Sequence, residues 1–147
     1  MSSLVVDTSA VAAIAFREPT RMWLIRTLAA ASERAIAAPN VLELGMVLES
    51  RLADVEGAAA RSLREAAVTV RPFTADLAER GIAAWRRFGK GRHPAGLNFG
   101  DCCTYALAEE TGWPILCTGD DFARTGWPVL RPDPAEPADP GPTPLRS

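Results

Sequence analysis

The chain is poor in the side chains on which many catalytic and metal sites depend. Of its 147 residues, three are cysteine, one is histidine and one is lysine. Cys102, Cys103 and Cys117 lack the C-x-x-C spacing of a thiolate zinc site and are too few for a disulfide framework. With His93 as the single histidine, a Ser-His-Asp relay or a multi-histidine metal site would have to be built around that one residue. Carboxylates are the reactive groups that remain.

Long hydrophobic runs are also missing. Runs such as Ala10 to Phe16 are far shorter than the about 20 residues needed to cross a bilayer. The N-terminus has no basic start, and Asp7 stands where a signal peptide needs an apolar stretch. We therefore expect a cytoplasmic protein without a membrane segment.

The net charge is small, at -2, and 48% of the residues are hydrophobic, which is an ordinary balance for a globular protein. The length suits one domain. The acidic excess lies in a proline-rich C-terminal segment, where Asp133, Glu136 and Asp139 stand against Arg146. We expect one folded domain over residues 1–131 and a disordered tail over residues 132–147.

Short apolar runs alternate with helical patterns along the chain. Strands are expected over residues 3–7, 35–38, 68–70, 114–117 and 129–130. Helices are expected from Ala10 to Glu18, after Thr20, from Pro39, over residues 58–67, after Thr74 and from Asn98. This alternation predicts an α/β fold with a parallel sheet covered on both faces. In such sheets, ligands bind beyond the carboxyl ends of the strands, where the strand order reverses.

Four carboxylates from separate segments fall at this edge of the predicted sheet. Asp7 ends the first strand, Glu43 lies one turn into the helix after the second, Asp101 opens the helix before the fourth, and Asp120 follows the fourth. Each one alone is explained by a helix cap, a helix dipole or a turn. Together they favour a divalent cation, because like charges this close repel one another. Ligation by oxygen alone indicates Mg²⁺ or Mn²⁺.

Four segments resemble the four motifs of the PIN-domain family, and within it the VapC toxins of bacterial toxin–antitoxin pairs. They are Val5–Ala10 (VVDTSA), Ala38–Glu43 (APNVLE), Leu97–Leu107 (LNFGDCCTYAL) and Leu116–Phe122 (LCTGDDF). The resemblance covers about residues 3–130. It implies a three-layer α/β/α fold with a short, mostly parallel five-stranded sheet and an endoribonuclease that depends on Mg²⁺ or Mn²⁺. It also implies inhibition by a cognate antitoxin protein in a hetero-oligomer. Separately, the apolar faces of the first four helices suggest surface for a homodimer and for an antitoxin helix.

The resemblance also assigns roles by position. The acids carried over as catalytic residues and metal ligands are Asp7, Glu43, Asp101 and Asp120, with Asp7 and Asp101 foremost. The residues that would orient them through hydrogen bonds are Thr8 or Ser9, Asn40 and Thr118. Many relatives separate the last two acids, whereas Asp120 and Asp121 are adjacent here. Both therefore stay candidates for the side chain that faces the metal.

Such a site would activate a water for in-line attack on an RNA phosphodiester. Glu43 or Asp120 would position or deprotonate that water, and the products would carry a 5′-phosphate and a 3′-hydroxyl. The basic segment with Arg86, Arg87, Lys90, Arg92 and His93 is the candidate for contacts to flanking phosphates. A solvated helix end, with cations favoured by the helix dipole, explains the same segment equally well.

Other functions fit parts of the pattern. A haloacid-dehalogenase-type phosphatase also begins with an Asp at a strand end, but it needs a second Asp where Ser9 stands. A receiver-type phosphoacceptor needs a lysine late in the chain, whereas Lys90 lies in a different element. A DNA-directed nuclease of the same fold stays open. So does a non-catalytic RNA- or protein-binding module, although the four intact acids argue against it.

Overall fold

The computed structural model describes residues 2–52 and 56–133, so most of the predicted tail lies outside the described residues. The strands are β1 (Leu4–Val6), β2 (Arg34–Ala37), β3 (Thr69–Arg71), β4 (Ile115–Leu116) and β5 (Val129–Leu130). The helices are α1 (Thr8–Ala15), α2 (Arg21–Ala30), α3 (Ala38–Arg51), α4 (Ala58–Glu65), α5 (Ala75–Phe88) and α6 (Phe99–Thr111). A 3-10 helix covers Phe122–Thr125.

The five strands form one sheet in the order β3-β2-β1-β4-β5, and every neighbouring pair is parallel. The chain moves outward from β1 to β3 on one side and from β4 to β5 on the other. The strand order therefore reverses between β1 and β4, and a crevice is expected at the carboxyl ends of these two strands. The predicted parallel α/β sheet is confirmed.

Helices cover both faces of the sheet, because successive side chains of each strand point to opposite faces. Val5 packs in one apolar cluster with side chains of α5 and α6. Leu4 and Val6 pack in a second cluster with side chains of α1, α2, α3 and α4. This is the three-layer α/β/α arrangement that the family resemblance implied.

The helix starts differ from expectation in two places. Asp7, not Thr8 or Ser9, caps α1, which therefore begins two residues before Ala10. Thr20 precedes α2 but its hydroxyl makes no capping bond, because its backbone is already helical. Thr74 caps α5 as predicted, by accepting a hydrogen bond from the Leu77 backbone N–H.

Across residues 2–52 and 56–133, none of the helices combines the length and the apolar character that crossing a bilayer demands.

Candidate metal centre

Asp7 lies at the centre of the crevice, immediately after β1. Its carboxylate accepts hydrogen bonds from the Ser9 backbone N–H at 3.0 Å and from the Thr104 hydroxyl at 2.8 Å. The residue is only 6% exposed. Burial raises the pKa of Asp7 because it disfavours the charged form, and the hydrogen bonds from Ser9 and Thr104 oppose that shift. Asp7 thus joins β1, α1 and α6 at one point.

Asp101 stands in the first turn of α6 as part of a capping box with Asn98. Its backbone N–H donates to the Asn98 side chain at 2.9 Å, and its carboxylate accepts from the Asn98 backbone N–H at 3.0 Å. The pKa of Asp101 is raised to about 7, mainly by burial and also by the negative charges of nearby acids, while the hydrogen bond from the Asn98 backbone opposes the shift. These acids are Asp7, Asp121 and Glu43. The four acids therefore share one electrostatic environment.

Glu43 reaches this environment because position 100 is glycine. A Cβ atom built on Gly100 would lie 2.3 Å from Oε2 of Glu43, so no other residue fits there without displacing the carboxylate. The Asn40 side-chain amide donates to the Gly100 carbonyl at 3.0 Å. The starts of α3 and α6 are thus held in contact, with Glu43 lying against the backbone of α6.

The two adjacent aspartates after β4 have different surroundings. Asp120 is exposed and forms an ion pair with Arg124 at 3.0 Å. Asp121 is the member of the pair whose charge raises the pKa of Asp101. It also contributes to the raised pKa of the buried Cys117 thiol, after the larger effect of burial. Asp121, which is also exposed, lies near enough to Asp101 for its charge to act on that carboxyl, whereas Asp120 is paired with Arg124.

The predicted orienting residues join the segments around the acids. The Thr8 hydroxyl donates to the Asn40 carbonyl at 3.2 Å. The Ser9 hydroxyl accepts from the Thr118 backbone N–H at 3.2 Å, which ties α1 to the loop after β4. The side-chain oxygen of Asn40 is buried and has no hydrogen-bond partner among the described residues.

Sequence reasoning missed two members of this site, Thr104 and Gly100. Thr104 lies three residues after Asp101 on α6, and residues at that spacing share a helix face. The spacing was therefore a usable signal for Thr104. Gly100 had no such signal, because its role depends on the approach of Glu43 from another helix.

The predicted phosphate-binding side chains lie at the end of α5 and in the loop after it. Arg86, Arg87, Lys90 and Arg92 are all exposed. In the described part of the chain, none of them forms an ion pair with a carboxylate. His93 differs, because its Nδ1 accepts from the Ala95 backbone N–H at 3.0 Å and its ring packs on Phe88. That ring stabilises the loop.

The four acids supply oxygen ligands only, which suits a hard divalent cation. Burial, and after it the negative charges of neighbouring acids, raises the pKa of Asp7 and of Asp101. Within the described ranges, no three Asp, Glu, Cys or His side chains are already arranged around one ion position. Asp7 and Asp101 instead accept hydrogen bonds from nearby donors. The donor chemistry fits such an ion, and binding one requires the carboxylates to reorient.

A parallel α/β sheet with acidic side chains at the point where its strand order reverses is typical of proteins that bind a ligand beyond the carboxyl ends of the strands. The model of the PIN domain matches residues 4–128, and the chain belongs to that family. A Ribonuclease VapC of Mycolicibacterium smegmatis is 41% identical over 123 residues, which are 83% of this chain and 95% of that protein. Ribonuclease VapC28 of Mycobacterium tuberculosis is 43% identical over 124 residues, with 83% and 93% coverage.

Solved structures show the same fold. VapC20 of Mycobacterium tuberculosis, described as a Sarcin-Ricin loop cleaving toxin, has a TM-score of 0.69 at 23% identity. The alignment covers 88% of this chain and 99% of that one. A toxin–antitoxin complex from Klebsiella pneumoniae has a TM-score of 0.61 at 18% identity, with 82% and 90% coverage. The family resemblance read from the four motifs is confirmed.

The raised pKa of Asp101 predicts how stability depends on pH without divalent cations. Between pH 3.8, the ordinary pKa of an aspartate, and pH about 7, folded Asp101 keeps a proton that the unfolded chain has released. The free energy of unfolding contributed by this group therefore falls as pH rises from about 4 to about 7, and then levels off. Asp101→Asn should remove this contribution and raise the melting temperature at pH 7.5 by a few degrees, measured by thermal denaturation in chelator.

Glu110→Gln is the matched control, because it removes an exposed carboxyl from the other end of α6. It should keep the wild-type pH dependence. An Asp101→Asn variant with an unchanged pH dependence between pH 4 and 7 would contradict the proposed charge crowding.

Proposed function

We propose that the chain is an endoribonuclease that depends on Mg²⁺ or Mn²⁺ and acts in the cytoplasm as the toxin of a toxin–antitoxin pair. The observation that carries the proposal is the convergence of Asp7, Glu43, Asp101 and Asp121 at the switch point of the sheet. The relatives named Ribonuclease VapC, at about 40% identity over most of their length, support RNA as the substrate.

The proposed ion would be held by Asp7 and Asp101, with Glu43 and Asp121 completing the acidic set. Asp121 is preferred to Asp120 for the fourth position because Asp120 is paired with Arg124. A divalent cation in this cluster would supply the positive charge that makes a water acidic and offsets charge on the phosphate. Such an ion would also relieve the repulsion that raises the pKa of Asp101.

The protein residues have separate roles in this scheme. Thr104 and the Ser9 backbone hold the Asp7 carboxylate in one orientation. Glu43 is placed to position or deprotonate the attacking water, since Gly100 lets its carboxylate approach the cluster. Hydrolysis by water would leave a 5′-phosphate and a 3′-hydroxyl, without use of the 2′-hydroxyl. Arg86, Arg87, Lys90 and Arg92 would contact phosphates that flank the cut.

A separate groove supports the proposed antitoxin partner. A cavity of about 580 Å³ lies between α1, α2 and α4, with Val11, Ile25 and Leu28 among its apolar lining. Arg17 and Arg61 stand at the same groove. Apolar lining with basic residues around it fits an amphipathic helix that carries acidic side chains. A homodimer would use other apolar surface, such as that of α3.

RNA cleavage by the purified protein tests the proposed activity directly. In Mg²⁺ or Mn²⁺, total cellular RNA should give discrete cuts, mapped by primer extension. Asp7→Asn removes one negative ligand at nearly constant shape, so it should lower the cleavage rate by about 100-fold or more, and EDTA should abolish cleavage.

Cuts that are indifferent to both EDTA and Asp7→Asn would indicate a contaminating nuclease. Absence of cuts in the wild-type protein, with metal bound, would favour the non-catalytic binding module instead. Reaction products with a 2′,3′-cyclic phosphate would contradict attack by water.

Gly100→Ala tests whether Glu43 must lie against α6. The added Cβ forces the Glu43 carboxylate away, whereas alanine favours a helix over glycine by roughly 1 kcal/mol. We expect Mn²⁺ affinity and the cleavage rate to fall by at least about tenfold, while the melting temperature stays level or rises.

Gly45→Ala is the matched control on α3, because the nearest atoms to its added Cβ lie at 3.9 Å. This variant should keep the wild-type affinity and rate. Wild-type cleavage by Gly100→Ala would show that the position of Glu43 is not required.

A further inference from the structure

A second cavity lies beside the acidic crevice, between α5 and the start of α6. Its volume is about 470 Å³, within the range of pockets that hold small ligands. The lining is mainly apolar and includes Phe73, Ile82, Trp85, Leu97 and Phe99. The proposed reaction does not use this cavity.

One short segment separates the cavity from the acids. Asn98 and Phe99 line the cavity, and Asn98 also forms the capping box with Asp101. The next residue, Gly100, lies against the Glu43 carboxylate. A group bound in the cavity would therefore lie next to a phosphate held at the acids.

The cavity has unusually exposed apolar side chains at its opening. Phe99 is 79% exposed, Trp85 44% and Ile82 42%. The other three tryptophans are partly buried against the two apolar clusters. Exposed aromatic side chains grouped at a cavity usually mark a binding surface. The exposed ring of Phe99 suits a flat aromatic ligand.

Cations stand at the same opening. Lys90 lines the cavity, and the Arg92 guanidinium lies 4.0 Å from the centre of the Trp85 ring. The loop that carries them is closed by hydrogen bonds from Lys90 N–H to the Leu97 carbonyl and from Leu97 N–H to the Phe88 carbonyl. The cavity thus combines aromatic faces with positive charge, and this combination fits a nucleotide better than a purely apolar partner.

We propose that this cavity binds one unstacked base of single-stranded RNA, next to the phosphate at the acidic crevice. The proposal rests on the proposed ribonuclease function and names a base-binding subsite for it. Phe99 stacks on the base, while Lys90 and Arg92 contact the adjoining phosphates. Because every base has an aromatic face, stacking alone selects for a splayed, unpaired nucleotide more than for a particular sequence.

The test compares two fluorescein-labelled 12-nucleotide probes of equal charge, oligo(A) and a fully abasic RNA strand. Binding to the full-length protein is followed by fluorescence anisotropy at fixed low salt in EDTA, which prevents cleavage. The wild-type protein should bind oligo(A) at least about fivefold more tightly than the abasic strand. Phe99→Ala should lose most of this preference, and Phe99→Tyr should keep it.

Val70→Ala is the control, because Val70 is an exposed apolar residue of the edge strand β3 that does not line the cavity. It should keep the wild-type preference. Thermal denaturation checks that the Phe99 variants are folded, and sedimentation velocity reports their oligomeric state. A Phe99→Ala variant with the wild-type base preference would overturn the proposal. If that variant also dissociated a dimer, the surface would be assigned to a second copy of the chain.

Failure of the subsite and failure of the function are distinguishable. A wild-type protein that cleaves RNA but binds both probes equally would overturn the subsite and leave the ribonuclease in place. A protein that neither binds nor cleaves RNA would overturn both proposals.

Discussion

The burial of the Asp7 carboxylate is the constraint around which the site is organised. A buried charge is costly unless it is hydrogen-bonded or paired with an opposite charge. Thr104 and the Ser9 backbone supply hydrogen bonds, yet the pKa of Asp7 stays raised. The described residues place acids, not bases, around it. A divalent cation is the partner that we propose for this carboxylate.

Several residues of this site lower the stability of the fold. Asp101 caps α6 and is also crowded by three other acids, which raise its pKa beyond the effect of burial. Gly100 stands in the first turn of a helix, where alanine would be more favourable. Among the residues that the structure describes, the buried side-chain oxygen of Asn40 has no hydrogen-bond partner. Features that weaken a fold and cluster in one crevice are expected where a binding site was favoured over stability.

Much of the fold could be predicted because it depends on local patterns. Short β-branched runs predict the strands. Local signals such as Pro39 in α3 and the Thr74 cap of α5 predict where helices begin. The alternation of strands and helices predicts the parallel sheet. The start of α1 was placed two residues late because Asp7 was read as a strand end instead of a cap. Asp7 has both roles, because it directly follows β1 and its carboxylate caps α1.

The finer details of the site depend on contacts between distant segments. The bond from Thr104 to Asp7 joins residues 97 positions apart, and no local pattern contains it. The proposed preference for Asp121 over Asp120 rests on the ion pair between Asp120 and Arg124, a contact that the structure shows next to the 3-10 helix. Sequence spacing could bring both acids to the edge of the sheet but could not decide which one faces the crevice.

A calorimetric titration of Mn²⁺ into the wild-type protein, Asp121→Asn and Asp120→Asn tests directly whether the acids form a cation site. We expect saturable Mn²⁺ binding in the wild type, at least about tenfold weaker binding in Asp121→Asn, and wild-type affinity in Asp120→Asn. If Asp120→Asn alone lost affinity for Mn²⁺, Asp120 and not Asp121 would be the metal ligand. No saturable binding to the wild-type protein would contradict the claim that the four acids form a cation site.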